Sequence, residues 1–505
     1  MIMDELALAR IQLEELTKKE ENLVEELSRV RVAIEARKSR IEDLARASAP
    51  VNLLPSEILS YVIELAVFPV EYLYQHRMLT LARVSRTWRD IILNSPKFWN
   101  HIILDFYATI PFVKEHVERS CQYPLDIAIR FCDTDGRLNT LMDVIIPHVH
   151  RWRTLEMYEN NHQTLQLILG KINHLKFPSL TRATIFNSII QDMQYPTFLR
   201  PENSPSLKSL HLDNLIPMDE LTFGKRITDL SLKFSSHPFG HLALSSLLSS
   251  QHLTTLKLAY STCPSLQPDS ISLPFLTSLT LEAKHPRGLI SAVVAPQLSY
   301  FWLTPLTSAD QLSTLFCGFE SKFRNVHHFG FHVVNGSISV VDAKCISAVF
   351  QNVRHVELHT AEVDDFFRMA IDDSGSCPAD NWELLQSLTF HEVKVRHTSS
   401  TGHFVRWLRK WNSEGLPMLR VNFLRCTFHS VDDDGNGSER STPGLILDLH
   451  NVLREICILD IKHIVLQAMA VMSLTSASLP SLVRISIVTE WILLMTYDSG
   501  FIRSS

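Results

Sequence analysis

Ser204-Pro205-Ser206-Leu207-Lys208-Ser209-Leu210-His211-Leu212 carries the unit on which most of this chain is built. A short lead-in is followed by apolar-x-x-apolar-x-apolar at Leu207, Leu210 and Leu212. Alternation over the last three residues is that of a strand with one buried face. The unit recurs at Trp152/Leu155/Met157, Leu180/Ala183/Ile185, Ile227/Leu230/Leu232, Leu253/Leu256/Leu258, Leu276/Leu279/Leu281, Leu298/Phe301/Leu303 and Val326/Phe329/Phe331. Later copies are Val353/Val356/Leu358, Leu385/Leu388/Phe390, Leu453/Ile456/Ile458 and Leu482/Ile485/Ile487, with a weaker one at Leu416/Leu419/Val421. Among the first ten the copies start 20 to 32 residues apart, room for one strand and a returning helix or loop. No single copy can bury its apolar side, so neighbours must stack. The longer spacings after residue 353 imply inserted helices or loops, and Asp432–Gly444 reads as an exposed loop.

Upstream, Leu104 to Arg151 reads as a transition with a strand–helix–strand–helix rhythm. Ile102–Phe106 and Pro124–Ile129 are the strands; Pro111–Cys121 and Leu138–His148 are helical. Further upstream lies VNLLPSEILSYVIELAVFPVEYLYQHRMLTLARVSRTWRDIILNSPKFWN, residues 51–100. Pro55 opens a helix, where its missing N–H costs nothing. Ile58, Val62 and Leu65 share one helical face, and Val84, Trp88 and Ile91 repeat that spacing. Short helices of this kind cannot bury their apolar faces alone, so they pack on each other and on a partner.

Residues 4–47 contain neither Pro nor Gly. With Leu6 as heptad position a, the a positions are Leu6, Leu13, Glu20, Leu27, Ile34 and Ile41. The d positions are Ala9, Leu16, Leu23, Val30, Arg37 and Leu44. Ten of these twelve are apolar, over six heptads, which is the pattern of a coiled coil. The stripe implies self-association or pairing with a partner helix. Glu20 and Arg37 argue against a long, uniform two-stranded rod. Ala47-Ser48-Ala49-Pro50 ends the helix.

The bulk properties exclude several classes. The 505 residues carry a net charge of −6 with a pI near 6.4, which argues against general nucleic-acid binding. Apolar residues make up 45% and mean hydropathy is +0.04, enough for a large core. No apolar run approaches the length of a membrane span. Met1–Arg10 is acidic and helical and does not read as a signal peptide. The eight cysteines are scattered, as reduced thiols of the cytoplasm or nucleus would be.

Chemistry-bearing motifs are few. Asp432, Asp434, Asn436 and Gly437 match the start of a calcium loop, but its twelfth position is Pro443, so the segment reads as a solvated acidic loop. Among 23 histidines, His327-His328 are adjacent, and His355 and His359 lie four apart in a strand-like copy. His391-Glu392 does not continue into a zinc-protease motif, and no phosphate loop, dinucleotide glycine pattern or nucleophile elbow occurs. The histidines read as surface or packed residues, and no cofactor is expected. On a helix at His403–Trp411, Phe404, Trp407 and Trp411 are spaced to face the core, leaving Arg406, Arg409 and Lys410 to solvent.

Leu54-Pro55-x-Glu57-Ile58-Leu59, then Val84-Ser85-x-x-Trp88-x-x-Ile91, then Pro96-x-x-Trp99 resemble an F-box. The downstream copies look like an irregular leucine-rich-repeat array. Its usual Asn or Cys after the strand is mostly absent; Asn160 fits it, and Asn187 and Asn214 sit one place early. Coiled coil, F-box and degenerate repeats in that order resemble the fungal F-box-like family. The resemblance implies an α/β chain in three parts. They are a coiled-coil helix over residues 1–48, a three-helix F-box-like domain over 50–104, and a leucine-rich-repeat solenoid, or horseshoe, over 105–505. It further implies a noncatalytic substrate receptor of an SKP adaptor–cullin–F-box ubiquitin ligase. The adaptor and, through it, the cullin would be partners, together with a protein substrate held by the repeats. Carried over by position, Leu54, Pro55, Ile58 and Leu59 would face the adaptor, with Val84, Trp88 and Ile91 completing the helical packing. Val67–His76 is a longer link than the family pattern has. An interaction scaffold whose F-box-like module recruits no ligase is the alternative.

Overall fold

The structure is a computed structural model. It describes residues 2–48, 51, 54–67, 74–130, 136–159, 161–187, 196–214, 226–234, 252–260, 266–305, 315–316, 318–332, 338–359, 366–367, 376–392, 394–397, 402–424, 427–430 and 457–462. Asp432–Gly444, the Leu482/Ile485/Ile487 copy, Asn160 and much of the Val67–His76 link lie outside the described residues. Contacts divide the chain into two units. One is Met1–Asn100 with Glu115–Tyr123; the other is His101–Lys114 with Pro124–Ser505.

The first unit opens with one unbroken helix, α1 (Ile2–Ser48). Its freedom from Pro and Gly, together with i,i+4 and i,i+3 pairs such as Glu25–Arg29 and Glu35–Lys38, favours the helix locally. Three shorter helices follow: α2 (Ser56–Val67), α3 (Tyr74–Leu81) and α4 (Arg86–Asn94). Pro55 stands just ahead of α2, and its carbonyl accepts the first helical bond from Leu59 N–H at 3.0 Å. Ser85 caps α4 by accepting from Trp88 N–H at 3.2 Å. The three helices close on a core of Leu59, Ile63, Val67, Met78, Ile92, Phe98 and Trp99. Trp99 is fixed by its indole N–H, which donates to the Ile92 carbonyl at 2.8 Å, by the edge of His116 at 4.9 Å and by the Arg119 guanidinium over its face.

The second unit is a mixed α/β structure around one large parallel sheet. Its strands are β1 (His101–Leu104), β2 (Leu125–Arg130), β3 (Trp152–Glu159), β4 (Arg182–Asn187), β5 (Ser209–Asp213), β6 (Asp229–Phe234) and β7 (Thr255–Tyr260). After them come β8 (Ile271–Ser272), β9 (Ser278–Ala283), β10 (Val293–Val294), β11 (Tyr300–Pro305), β12 (His328–His332) and β13 (His355–His359). The last are β14 (Ser387–His391), β15 (Lys394–His397), β16 (Arg420–Leu424), β17 (Thr427–Ser430) and β18 (Ile458–Lys462). Fourteen of them form a single sheet whose spatial order follows the chain, β1-β2-β3-β4-β5-β6-β7-β9-β11-β12-β13-β14-β16-β18. The pairs β8–β10 and β15–β17 are small parallel side sheets. Parallel neighbours need a crossover. Helices supply several: α5 (Ile110–Arg119), α6 (Arg137–Ile145), α7 (His162–Ile172), α8 (Arg287–Ala292), α9 (Val340–Val349) and α10 (His403–Ser413).

The repeat unit explains the register. Its second and third apolar positions stack strand on strand, as in Leu155–Ala183–Leu210–Leu230–Leu256–Leu279–Phe301–Phe329–Val356–Leu388–Val421, all buried. Under β11 to β13 the core is aromatic: the Phe329 and Phe350 rings stack at 4.1 Å, and Phe301, Phe316 and Phe323 close around them. Around α10 a second aromatic group joins Phe367, Phe390, Phe404, Trp407, Trp411 and Phe423. This is where the sequence placed the three aromatics of that helix. Arg406 and Arg409 are exposed, and Lys410 pairs with Asp380 at 2.9 Å.

The copies are laced together ahead of the strands rather than after them. Thr181, Thr254, Thr277 and Ser299 each donate a side-chain hydroxyl to a carbonyl of the preceding copy, at 3.0 to 3.2 Å. Two residues earlier, the Ser179 and Ser206 hydroxyls and the Asn325 and Asn352 side-chain amides also donate to carbonyls of the preceding copy, at 2.6 to 2.9 Å. The hydroxyls at the first set of positions add a second bond to carbonyls that already accept a backbone N–H from the next copy, and the earlier set reaches further back into the turn. Asn214, expected near the strand end, takes the left-handed conformation (φ 53°) and donates its N–H to the Lys233 carbonyl at 2.7 Å.

Three expectations need correction. The stretch Leu104–Arg151 is no mere transition, because β1 and β2 are the first two strands of the same sheet. Ile102, Leu104, Ile127 and Ile129 supply the same buried ladders; Pro124 at the first apolar position disguises the second of these copies. The copy read as Leu416/Leu419/Val421 starts two residues later, since Val421 pairs with Leu388 and Phe423 with Phe390. Met418 at its first position is 55% exposed, and buried Leu419 fills the interior instead. The copy read as Leu453/Ile456/Ile458 is shifted by three, because Leu459 pairs with Val421 and Ile461 with Phe423. The run Cys457-Ile458-Leu459 is apolar on both faces, so spacing alone cannot choose its register.

Candidate functional site

Two surfaces gather residues that the folding core does not use. The first lies on the three-helix unit. Helix α2 has two apolar faces, and the core takes only Leu59, Ile63 and Val67. Ile58 is 49% exposed, and Tyr61, Val62 and Leu65 lie open beside it. Leu54 and Pro55 are exposed at the head of the helix, and Leu79 and Val84 are exposed on the segments that follow. Trp88 and Ile91 are half-buried against the core. Of the residues expected to meet an adaptor, Leu54, Pro55 and Ile58 are therefore presented outward. Leu59 is 1% exposed and is a core residue. Val84, expected to complete the packing, points largely to solvent.

The second surface is the exposed face of the sheet over β11 to β14, and the sequence reading missed it. Residues four apart in a strand share a face, and in-register parallel pairing sets equivalent residues side by side. Tyr300, His328, His355 and Ser387 thereby form one row. Trp302, Gly330, Glu357 and Thr389 form the next. His332 and His359 are paired in a third row, with His391 stacked on His359. Five imidazoles thus surround one carboxylate. The available clue was the spacing: 27 residues separate His328 from His355 and His332 from His359, and 32 separate His359 from His391, matching the copies.

Glu357 is the electrostatic centre. Its Oε1 lies 2.6 Å from His328 Nε2, and Oε2 lies 3.4 Å from His391 Nε2. The hydrogen bond from His328 first, and then the nearby His391 imidazole, hold its carboxyl down to about 2. An ionised carboxylate can only accept, so His328 carries its proton on Nε2. His359 sits in a stack with His391 at 4.2 Å, beside His332 at 5.0 Å and the edge of Trp302 at 5.3 Å. Burial, then the neighbouring imidazoles His391 and His332, lower its pKa to about 4, so it is neutral at pH 7. Burial also lowers His332 and His355, the latter bonded through Nδ1 to Ser387 Oγ at 2.7 Å. Tyr300 packs on His328 at 4.6 Å and, buried near Glu357, is pushed up to about 12. The Trp302 indole lies flat over Gly330, where a Cβ would collide with its ring, and donates to Thr304 Oγ1 at 3.1 Å.

The first half of the same face has a different character. Asp126 pairs with Arg153, Glu156 with Arg130, and Asp213 with Lys233, so its charges neutralise one another. Arg130 lies over Tyr158 and Lys233 over Phe186. At the lead-in edge a shallow groove is lined by Lys208, Arg226, Thr228, His252 and Phe275.

The imidazole face lies on the side of the sheet opposite the apolar ladder. Its rings stack edge to face and face to face instead of converging. Among the described residues, no three His, Cys, Asp or Glu side chains are arranged to hold a metal ion. It offers flat aromatic area, several one-donor, one-acceptor imidazoles and one fixed negative charge. No helix among the described residues is long and apolar enough to cross a membrane. No family model matches the chain, and no curated protein matches it either.

Proposed function

We propose that this chain is a noncatalytic substrate receptor of an SKP adaptor–cullin–F-box ubiquitin ligase. The reading takes α2 to α4 as an F-box and the sequentially ordered sheet as an irregular leucine-rich-repeat solenoid. The observation that carries it is the second apolar face of α2. A helix in a module this small exposes Leu54, Ile58, Tyr61, Val62 and Leu65, while Leu59, Ile63 and Val67 already fill the core. Exposed apolar residues gathered on one face mark an interaction site. Two of them, Leu54 and Ile58, belong to the Leu-Pro-x-Glu-Ile-Leu motif through which an F-box would meet its adaptor, while Leu59 of that motif serves the core. A protein substrate would dock on the exposed sheet face around Trp302, Tyr300 and Glu357, where aromatic area and hydrogen-bonding groups suit a binding hot spot. Ubiquitin transfer would then follow from effective concentration, with no chemistry by this chain.

The test is capture of an SKP-family adaptor and cullin by the intact protein and by a Leu54→Ala/Pro55→Ala variant. Circular dichroism serves as the folding control. Adaptor binding by the intact protein that the folded variant loses supports the receptor. A folded intact protein that binds no adaptor overturns it and leaves an interaction scaffold whose module recruits no ligase.

A further inference from the structure

Helix α1 carries an apolar stripe that is exposed wherever its side chains are described. Leu13, Leu16, Leu23, Leu27, Val30, Ile34 and Ile41 are between 47% and 66% exposed, each at a heptad a or d position. The stripe runs along an unbroken helix of 47 residues. Two of its positions are charged, Glu20 at a and Arg37 at d. Both are exposed, and among the described residues neither forms an ion pair. Burying either charge without a partner would be costly, so the orientation of any pairing must answer to them.

We propose that α1 pairs with α1 of a second copy of this chain, antiparallel, in the register that sets Glu20 of each copy against Arg37 of the other. In an antiparallel pair, a positions of one helix meet d positions of the other. Setting Glu20 opposite Arg37 then places Leu16 opposite Ile41, Leu23 opposite Ile34 and Leu27 opposite Val30, with no apolar layer out of step. Each layer occurs twice by symmetry, so the shared seam spans Leu16 to Ile41, about 38 Å of helix at 1.5 Å per residue. A parallel in-register pair would instead bury Glu20 against Glu20 and Arg37 against Arg37.

The charge along the helix points the same way. Residues 2–28 hold eight acidic and three basic side chains, while residues 29–48 hold six basic and three acidic. Antiparallel pairing lays each acidic half on the other copy's basic half; parallel pairing lays like on like. Opposite fields along paired helices favour one orientation over the other. Lys19 and Arg40, at flanking g positions, come near each other across the antiparallel seam and oppose it, but they are at its edge, where solvent screens them. The same pair of charges that spoils a uniform rod thus selects a direction and a register. The pairing does not rest on the ligase reading, and its test needs no adaptor.

The experiment is sedimentation of the full chain over a dilution series, with Glu20→Arg, Arg37→Glu and the double exchange. The intact chain should be a dimer. Each single exchange should weaken it by roughly tenfold or more, because like charges then meet in the seam. The double exchange should restore it, because opposite charges again face across the antiparallel pair. As an independent readout, a Leu27→Cys chain mixed with a Val30→Cys chain should cross-link through those two positions, identified in the linked peptides. A monomer throughout overturns the proposal. A dimer insensitive to the single exchanges, or one linking residue 27 to residue 27, overturns the antiparallel register.

Discussion

At Gly330 the sheet carries no side chain, and the Trp302 indole takes the space. A Cβ at 330 would fall within the Trp302 ring, so Gly330→Ala must push the indole off the face. The Trp302–His359 edge contact goes with it. We expect a loss of about 1–3 kcal/mol, the usual cost of overpacking, read by urea denaturation with a change in tryptophan fluorescence. Unchanged stability and emission would mean that the indole does not depend on this glycine. Beside it, Glu357 and His359 tie stability to pH. The folded His359 binds its proton near pH 4, against an ordinary 6.5, so the unfolded chain holds more protons between those values. Its contribution is complete above pH 6.5 and is lost as pH falls toward 4. Glu357, lowered from 4.5 to about 2, contributes fully above 4.5 and loses that contribution as pH falls toward 2. Charged neighbours bear on the same cluster: Arg354 and Arg420 by His355, Glu282 and Glu392 by His332. Urea midpoints should therefore drop between pH 6.5 and 4, and the drop should be smaller in His359→Phe. An equal drop in both would move the effect to other groups.

Helix α2 shows how one element divides its labour. Leu59 is 1% exposed and lies in the core, whereas Ile58, one residue earlier, is 49% exposed. Leu59→Ala should cost about 2–5 kcal/mol, since it opens a cavity among Ile63, Ile92 and Phe98. Ile58→Ala should change stability by no more than about 0.5 kcal/mol. Thermal denaturation of the two variants separates them, and comparable losses would mean that both faces of the helix are buried. The sequence foresaw the helix and the shared face of Ile58, Val62 and Leu65, but not that this whole face is exposed while Leu59 belongs to the core. Two apolar stripes side by side carry no mark of which one the core will take. Strands were legible wherever the unit alternated cleanly, as at Leu207-Lys208-Ser209-Leu210-His211-Leu212. Register failed at Met418 and Ile458, where apolar residues occur on both faces and only the neighbouring strand decides. The histidine face, marked only by spacings that match the copies, was missed for a related reason. His328, His355, His359 and His391 are remote in the chain, and in-register pairing alone brings them together.

Across the fourteen-stranded sheet the spatial order follows the chain, with β8, β10, β15 and β17 set aside in the two side sheets. Long-range crossings that would tie the two ends of the sheet together are absent from that order. Stability in such an array is close to a sum of local terms and nearest-neighbour interfaces. A defect should then spread only as far as the interfaces it weakens. Phe329 is the place to introduce one, since its ring stacks on Phe350 at 4.1 Å and also meets Phe301 and Phe331. Phe329→Ala should cost about 3–5 kcal/mol locally, as large aromatic truncations do. Native-state hydrogen exchange should show that loss in β11, β12 and β13, with little change in β3 to β6. The reason is physical rather than topological alone. Leu210 on β5 and Leu230 on β6 share the apolar ladder with Phe329 but are separated from it by β7, β9 and β11, and the hydroxyl ladder through Thr181 and Thr254 joins each copy to the one before it. Uniform loss of protection from β3 to β14 would show that the sheet opens as one cooperative block. Loss confined to the strands around Phe329 would show that the copies hold one another in sequence, so that the imidazole face can change without loosening the strands at the start of the sheet.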